Sequence, residues 1–565
     1  MRTTKRTTKT HLARRCAIGE LGHPSRPCCQ YRPTVGKFVG IVVRFELTVA
    51  SHELAGYDVA WIDHGLTQMT EQQLLDDRQM SAFLTEGYVL LHPTELPQQL
   101  HEKLFAAAAQ LYDEARLVGG STTHLQYLGD NVLARIPELN EVLDAPTVTG
   151  ALASILGDGY VLHPHHFVHS AGRADQGFHQ DGNLPWNTRG YFRSHRPISA
   201  MLFYYPQTVT DDMGPTEVLP GTQYWSGDFE GDTDWQHDDH LDRDFNATAA
   251  RAEDLAYREE RLQASLRVLP FEHVERRRLT VPAGSVVIAN YDLVHRGTRQ
   301  GVGSTERRFM YKFYFLRTHE PRSPSWQNSS AIPDLTFALP TTETIIARVW
   351  SWLRGEPTHS VPLDNLVGLM AQLHSPSESV RRAAGYALGD AGSVAVDSLV
   401  QALVSPVATV RRMAAFALGE TRCATMATIA ALIAGLGDAD ELVRSNSAFS
   451  LGSLARVARL PSTAIEALLT RLGPQCEPDN TNSANMSRST VRECVMHALL
   501  QVACNGQLDD GQRQRLAALG LADPDRYVRG LTVQALRHSP DATLPDWLHP
   551  LLRYLDTHQY SQSPG

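Results

Sequence analysis

The sequence predicts a multidomain protein: an α+β unit whose strands close on each other as a barrel-like sandwich, followed by an all-α solenoid. Three observations carry this. The chain has 565 residues, too long for one ordinary domain. Helical apolar spacing gives way after residue 156 to short strand-like runs that continue to Leu316. Beyond Pro362 a ten-residue pattern recurs, which is the mark of a repeat architecture.

The elements follow in order. From Met69, helical spacing runs to Phe83, then Gly87 and an apolar strand from Tyr88 to Leu91. LPQQLHEKLFAAAAQLYDEARL reads as an amphipathic helix, and Thr147 to Leu156 as another. Strands are expected at Gly159–Leu162, His165–His169, Ile198–Tyr205, Ser285–Ala289 and, densest in aromatics, Phe309–Leu316 (FMYKFYFL). The acidic stretch from Ser226 to Glu260 reads as a surface insertion among them. Val380-Arg-Arg-Ala-Ala-Gly-Tyr-Ala-Leu-Gly is echoed at Val410 and Val443, and more weakly at Val491 and Val528. Each copy follows another apolar helix, so the unit is a helix pair that buries its apolar face only by stacking on its neighbours. The expected boundaries are a basic N-terminal extension over 1–68, an α+β domain over 69–345, a linker over 346–362, helical repeats over 363–545 and a tail over 546–565.

Residues 1–37 hold nine basic residues against one acid, Glu20. A disordered extension, or upstream DNA translated from a misassigned start with Met69 as the alternative, is the favoured reading over a transit-type presequence. The net charge of −10 argues against a general nucleic-acid or membrane-surface binder. Seven scattered cysteines read as reduced thiols of a cytoplasmic protein. No run approaches the roughly 18 apolar residues of a membrane span.

His179 and Asp181 stand two residues apart in GFHQDGNLPWN, so on a strand both face the same way. Joined by a distant histidine, they form a two-His-one-carboxylate set that suits Fe(II) and leaves positions open. The H-x-D pattern occurs three times, at His179/Asp181, His237/Asp239 and His240/Asp242, and the last two lie in the acidic insertion. Only the first is followed by an apolar strand, a glycine turn (Met213-Gly-Pro, then Pro220-Gly221), a distal His295 beyond a strand, and arginines opening the last aromatic strand. A guanidinium there can grip a carboxylate with two parallel hydrogen bonds. Strand alternation turns one of Arg307 and Arg308 inward; Arg307 is the expected one and Arg308 the runner-up.

With these motifs, residues 69–317 resemble the phytanoyl-CoA dioxygenase family of Fe(II)/2-oxoglutarate-dependent oxygenases. The chain departs from that family's turn motif at Met213, Thr222 and Gln223. The resemblance implies a double-stranded β-helix (jelly-roll, cupin-like), with His179, Asp181 and His295 as iron ligands and Arg307, or Arg308, on 2-oxoglutarate. It also implies O₂ as co-substrate, succinate and CO₂ as co-products, and hydroxylation of an unactivated C–H of a small molecule; an aspartate at 181 disfavours halogenation. Residues 363–540 resemble HEAT repeats of the phycobilisome-lyase-like subtype, which implies protein contacts and no chemistry. Two other readings stay open: a scaffold with a vestigial oxygenase fold, and a protein hydroxylase whose solenoid recruits its substrate. His163, His165, His166 and His169 are read as pocket and strand residues ahead of a second metal site. Arg189, Arg193 and Arg196 would either attract an anion or lie in a solvated loop.

Overall fold

The computed structural model describes residues 73–117, 132–181, 195–228, 239–241, 251–271, 273–356, 363–473, 476 and 490–539. The basic extension, the alternative start at Met69 and the C-terminal tail lie outside these. So do His237, Asp242, Arg189, Arg193 and Cys16, Cys28 and Cys29.

Helix α1 (Asp77–Glu86) starts in a capping box: the Asp76 side chain accepts from the Gln79 amide, and the Gln79 side chain returns the contact. Gly87, at φ 87°, ends it in the left-handed conformation and turns the chain into β1 (Tyr88–Leu91). Helix α2 (Gln98–Leu117), the short α3 (Val132–Arg135) and α4 (Leu139–Leu143), and α5 (Pro146–Leu156) complete the N-terminal layer. The strands follow: β2 (Val161–Leu162), β3 (Phe167–Ser170), β4 (His179–Gln180), β5 (Ser199–Tyr205), β6 (Thr216–Val218) and β7 (Asp239–His240). After α6 (Leu255–Leu266) come β8 (Arg277–Arg278), β9 (Ser285–Asn290), β10 (His295–Gly297) and β11 (Phe309–Leu316).

They form two antiparallel sheets. The first has order β1-β9-β5-β11-β2, with β3 also on β11; the second has order β7-β4-β10-β6-β8. Alternation gives the first sheet two buried faces. Leu202, Tyr204, Ile288, Tyr311, Phe313 and Phe315 pack on Phe83, Leu104 and Leu152 of the helical layer. Met201, Phe203, Tyr205, Val287 and Tyr314 look the other way, towards Val218 of the second sheet. The Tyr205 hydroxyl crosses that gap to Thr216 Oγ1 at 2.9 Å. The acidic insertion is not wholly a surface loop: β7 within it pairs with β4 and extends the second sheet.

The expected linker over 346–362 is corrected at its start. ETIIARVWSWL forms helix α7 (Glu343–Leu353), because its apolar residues share one face and bury Ile346, Val349, Trp350 and Trp352. Trp350 meets Trp326 edge to face, with ring centroids 5.0 Å apart, inside the core of the α+β region.

Five helix pairs follow: α8 (Leu363–Gln372) with α9 (Glu378–Asp390), α10 (Val396–Ala402) with α11 (Ala408–Glu420), α12 (Met426–Gly435) with α13 (Glu441–Ala455), α14 (Ser462–Arg471) with α15 (Thr490–Cys504), and α16 (Asp510–Gly520) with α17 (Arg526–Arg537). All five copies of the sequence motif fall on the second helix of a pair. The arginine after the motif valine has a mechanical role. Arg381, Arg411, Arg444 and Arg529 each donate to the backbone carbonyl six residues earlier, clamping the turn within the pair. Arg411–Asp438 and Arg412–Asp440 tie one pair to the next, as does the fully buried Arg492–Asp523. The motif glycine lets successive second helices approach: a Cβ on Gly419 would sit 2.4 Å from Ser450 Oγ, and one on Gly452 2.9 Å from Ala498 Cα.

These second helices also dock on the α+β region. Arg196 Nη1 donates to Glu420 Oε2 at 2.7 Å, and Arg382 Nη2 to Asp228 Oδ1 at 3.0 Å. Arg456 Nε lies 3.3 Å from Glu320 Oε1, and Gln501 Nε2 donates to the Arg317 carbonyl at 3.1 Å. Arg196 therefore neither attracts a ligand nor sits in solvent; it anchors the solenoid. We expect Arg196→Ala to cost about 3 kcal/mol, because it strips Glu420, whose side chain is only 12% exposed, of its ion partner. Thermal unfolding of the full chain checks this, and an unchanged melting temperature would mean that the docking adds no stability.

Candidate metal centre

β4 and β10 are antiparallel neighbours, and their register sets His179 directly opposite His295. The two rings lie with centroids 4.6 Å apart. Asp181 follows β4 on the same side as His179, while Gln180 between them turns away and donates to the Asp292 carbonyl at 2.7 Å. The sequence pair and the distal histidine thus meet: one ligand atom from each of His179, Asp181 and His295 lies within 4.8 Å of the others. Asp181 Oδ1 is 3.7 Å from both His179 Nε2 and His295 Nε2, and all three residues are buried.

The backbone sets the tautomers. His179 Nδ1 is 2.9 Å from the Gly177 carbonyl and His295 Nδ1 is 2.9 Å from the Leu293 carbonyl. A carbonyl only accepts, so each Nδ1 carries a proton, and each Nε2 faces Asp181. Burial, and then the Lys312 charge, push the His295 pKa down to about 3, so the imidazole is neutral at ordinary pH, the form a metal takes. Burial works to raise the Asp181 pKa. The Lys312 charge outweighs it and holds the carboxylate ionised well below its usual range. Two imidazoles and one carboxylate, all buried and converging, fit a divalent transition metal with positions left open.

Sequence reasoning missed two residues here. Lys312 Nζ lies 2.5 Å from Asp181 Oδ2 and 3.2 Å from His295 Nε2, and the Tyr314 hydroxyl donates to Asp181 Oδ2 at 2.9 Å. The carboxylate is thus divided: Oδ2 is held by β11, and Oδ1 faces the histidines. His295 Nε2, now 3.2 Å from the ammonium, is the atom that would ligate a metal held here. The signal was legible, since Lys312 is the one charge in FMYKFYFL. Arg296 was also missed. It runs buried on the far side of β10, donating to Glu217 Oε2 at 2.5 Å and Asp175 Oδ1 at 2.8 Å, and braces the strand that carries His295.

Arg307 does not enter the pocket. It points towards α2, with 32% of its side chain exposed, and donates to Asp113 Oδ2 at 3.2 Å and the Ala109 carbonyl at 3.3 Å. Odd-numbered β11 residues face the helices, because Tyr311 pairs with Tyr204 on that side. Arg308, 3% exposed, shares the inner face with Met310, Lys312 and Tyr314. It donates from Nε (3.0 Å) and Nη2 (2.7 Å) to the Gly214 carbonyl, while Nη1 is buried with no hydrogen-bond partner among the described residues. Gly214 is held at φ 73°, where a Cβ would come within 2.6 Å of the Thr298 carbonyl, so only glycine presents that oxygen to Arg308. Thr222 and Gln223, the departures in the turn motif, are structural: Gln223 Nε2 donates to the Leu84 carbonyl at 2.8 Å and Thr222 Oγ1 to that of Leu219 at 2.7 Å. Of the four clustered histidines, His163 and His165 meet the solenoid. Tyr527 bonds His165 Nδ1, and Glu493 lies 3.9 Å from His163 Nε2.

A family model of HEAT repeats matches residues 366–452 and 396–487. The C-terminal region carries HEAT repeats. No curated protein matches the chain. Among solved structures, it is similar to HygX from Streptomyces hygroscopicus with nickel and 2-oxoglutarate bound, at 12% identity and TM-score 0.29, over 45% of this chain and 93% of HygX. It is similar to SnoK, a non-heme alpha ketoglutarate dependent carbocyclase from nogalamycin biosynthesis, at 15% and 0.30, over 44% and 87%. It is similar to AviO1 from Streptomyces viridochromogenes Tue57 at 14% and 0.28, over 42% and 93%. At these values the reading of the site rests on its own geometry.

We expect one Mn(II) per chain by calorimetry. His179→Ala and His295→Ala should each weaken it by at least about tenfold, the range in which loss of a site residue falls. His237→Ala should leave it unchanged; equal loss in that variant would move the site to the insertion.

Proposed function

We propose that the chain is an Fe(II)- and 2-oxoglutarate-dependent dioxygenase of the phytanoyl-CoA dioxygenase type, on a double-stranded β-helix, that hydroxylates an unactivated C–H of a small molecule. The observation that carries this is the convergence of His179, Asp181 and His295, with both Nε2 atoms 3.7 Å from Asp181 Oδ1. His179, Asp181 and His295 would hold the metal. Bound Fe(II) with 2-oxoglutarate supplies O₂ activation and oxidative decarboxylation to succinate and CO₂, coupled to hydroxylation.

The protein's own part is positioning. The backbone carbonyls of Gly177 and Leu293 hold the imidazoles in the ligating tautomer. Tyr314 and Lys312 fix Asp181 by its second oxygen. Arg308 is the group for the far carboxylate of 2-oxoglutarate. It is buried on the inner face of β11, and Nη1 has a bond to give. Arg307, committed to Asp113, is not available for that role. The small-molecule reading gains support from the solenoid. Its second helices are spent on the chain's own α+β region, through Arg382, Glu420, Arg456 and Gln501, and so do not form an open cradle for a protein substrate.

Asp181→Ala should abolish succinate formation while thermal unfolding stays cooperative; full turnover in that variant would remove the carboxylate from the mechanism. Arg308→Ala should raise the apparent KM for 2-oxoglutarate by at least about tenfold, on the scale of roughly 1.4 kcal/mol per decade. Arg307→Ala should leave it within about twofold of the unmodified chain, since a surface pair with Asp113 contributes about 1 kcal/mol or less to stability. Titrating both variants with 2-oxoglutarate, scored by succinate, decides between the two arginines.

A further inference from the structure

Lys312 does more in this site than hold the second oxygen of Asp181: it brings a positive charge to a place proposed for a cation. Its ammonium sits at the ligand atoms themselves, 2.5 Å from Asp181 Oδ2 and 3.2 Å from His295 Nε2. It is buried, 3% exposed. Lys312 is in the middle of β11, paired to Phe203 on one side and Phe167 on the other. Its Nζ lies 5.2 Å from the centre of the Phe203 ring and 5.3 Å from that of Tyr314. When a metal takes His295 Nε2, the ammonium therefore stays in the pocket beside it.

The charges then do not balance. Asp181 carries one negative charge and Lys312 cancels it, while Arg308 adds a further positive charge on the same inner face. A divalent cation entering this buried site meets a donor set with no net negative charge, where like charges repel more strongly than in water. 2-Oxoglutarate brings two carboxylates. It relieves that repulsion, and the metal and the ammonium in turn favour the dianion.

We infer that Lys312 couples the two ligands: metal binds weakly by itself, and metal and 2-oxoglutarate bind tightly together. Because binding free energies are reciprocal, each raises the affinity of the other by the same factor. Lys312 is here a positioning and selectivity residue, one that keeps the centre from filling with metal before the co-substrate is present. The inference rests on the function proposed above.

The test is a Mn(II) titration of the full chain, with and without saturating 2-oxoglutarate, in four forms: unmodified, Lys312→Met, Lys312→Gln and Lys312→Arg. In the neutral variants, Mn(II) by itself should bind at least about tenfold tighter than in the unmodified chain, the step of about 1.4 kcal/mol. The tightening produced by 2-oxoglutarate should shrink by the same factor. Lys312→Arg, which keeps the charge, should behave like the unmodified chain. Lys312→Gln can still donate to Asp181, so it separates loss of charge from loss of the hydrogen bond if Lys312→Met does not fold. If the neutral variants bind Mn(II) no tighter, and 2-oxoglutarate tightens all four forms equally, the coupling by Lys312 is wrong while the metal centre stands. If none of the four binds Mn(II) under either condition, the oxygenase reading fails and the coupling with it.

Discussion

Every residue of β11 is buried, and the period of two along it decides where each charge of the centre goes. Tyr311, Phe313 and Phe315 fill the space under the helices, so Arg308, Lys312 and Tyr314 have only the gap between the sheets to enter. A cation forced into that gap must be answered, or its burial costs several kcal/mol. Arg308 is answered by the Gly214 carbonyl and Lys312 by Asp181. The answer to Lys312 also builds the site: with Oδ2 taken by β11, Asp181 keeps one oxygen, Oδ1, aimed at two histidines that their own backbone has fixed. A slip of one residue in β11 would put Tyr311 and Phe313 in the centre and bury Lys312 under the helices. The strand register is therefore specified by charge as much as by apolar packing.

This explains which parts of the site were legible. His179, Asp181 and His295 are found from sequence because their spacing has a direct geometric meaning and their order matches a family pattern. The choice between Arg307 and Arg308 was not, because it depends on the pairing of Tyr311 with Tyr204, a contact between strands a hundred residues apart. Locally the two arginines are equivalent. Helix α7 was lost to a linker because the region's proline-rich end drew the boundary back over an apolar face that was there to read, Ile346, Val349, Trp350 and Trp352. β7 is short and lies in an acidic stretch; only its pairing beside His179 makes it a strand.

The helix pairs of the solenoid were visible because repetition amplifies a weak signal, and the motif arginine and glycine each have a local task. Its docking was not visible, since the residues that make it are the ones that read as a solvated face. Arg196, Glu420, Asp390, Arg348, Glu320 and Arg456 would each be expected in water, yet they meet one another between the two regions. Such pairs return little net stability over an apolar interface, because desolvation offsets their attraction. What they impose is a penalty on other arrangements, since a shift by one helical turn would leave the little-exposed Arg196, Glu420 and Arg456 without partners. An apolar interface would hold the solenoid; this one also fixes where it is held.

That fixed placement matters because the last helix pair comes close to the centre. Tyr527 on α17 bonds His165, the His165 ring lies 5.3 Å from that of Tyr314, and Tyr314 holds Asp181. Two intervening side chains, all buried, separate the solenoid from the Asp181 carboxylate. The solenoid is thus a wall of the α+β region as much as a surface for partners. The face it still offers is that of the first helices of each pair and their turns, where Val367, Val404 and Met426 are exposed. A partner engaging that outer face would meet helices whose inner neighbours are tied to the α+β region by charge pairs.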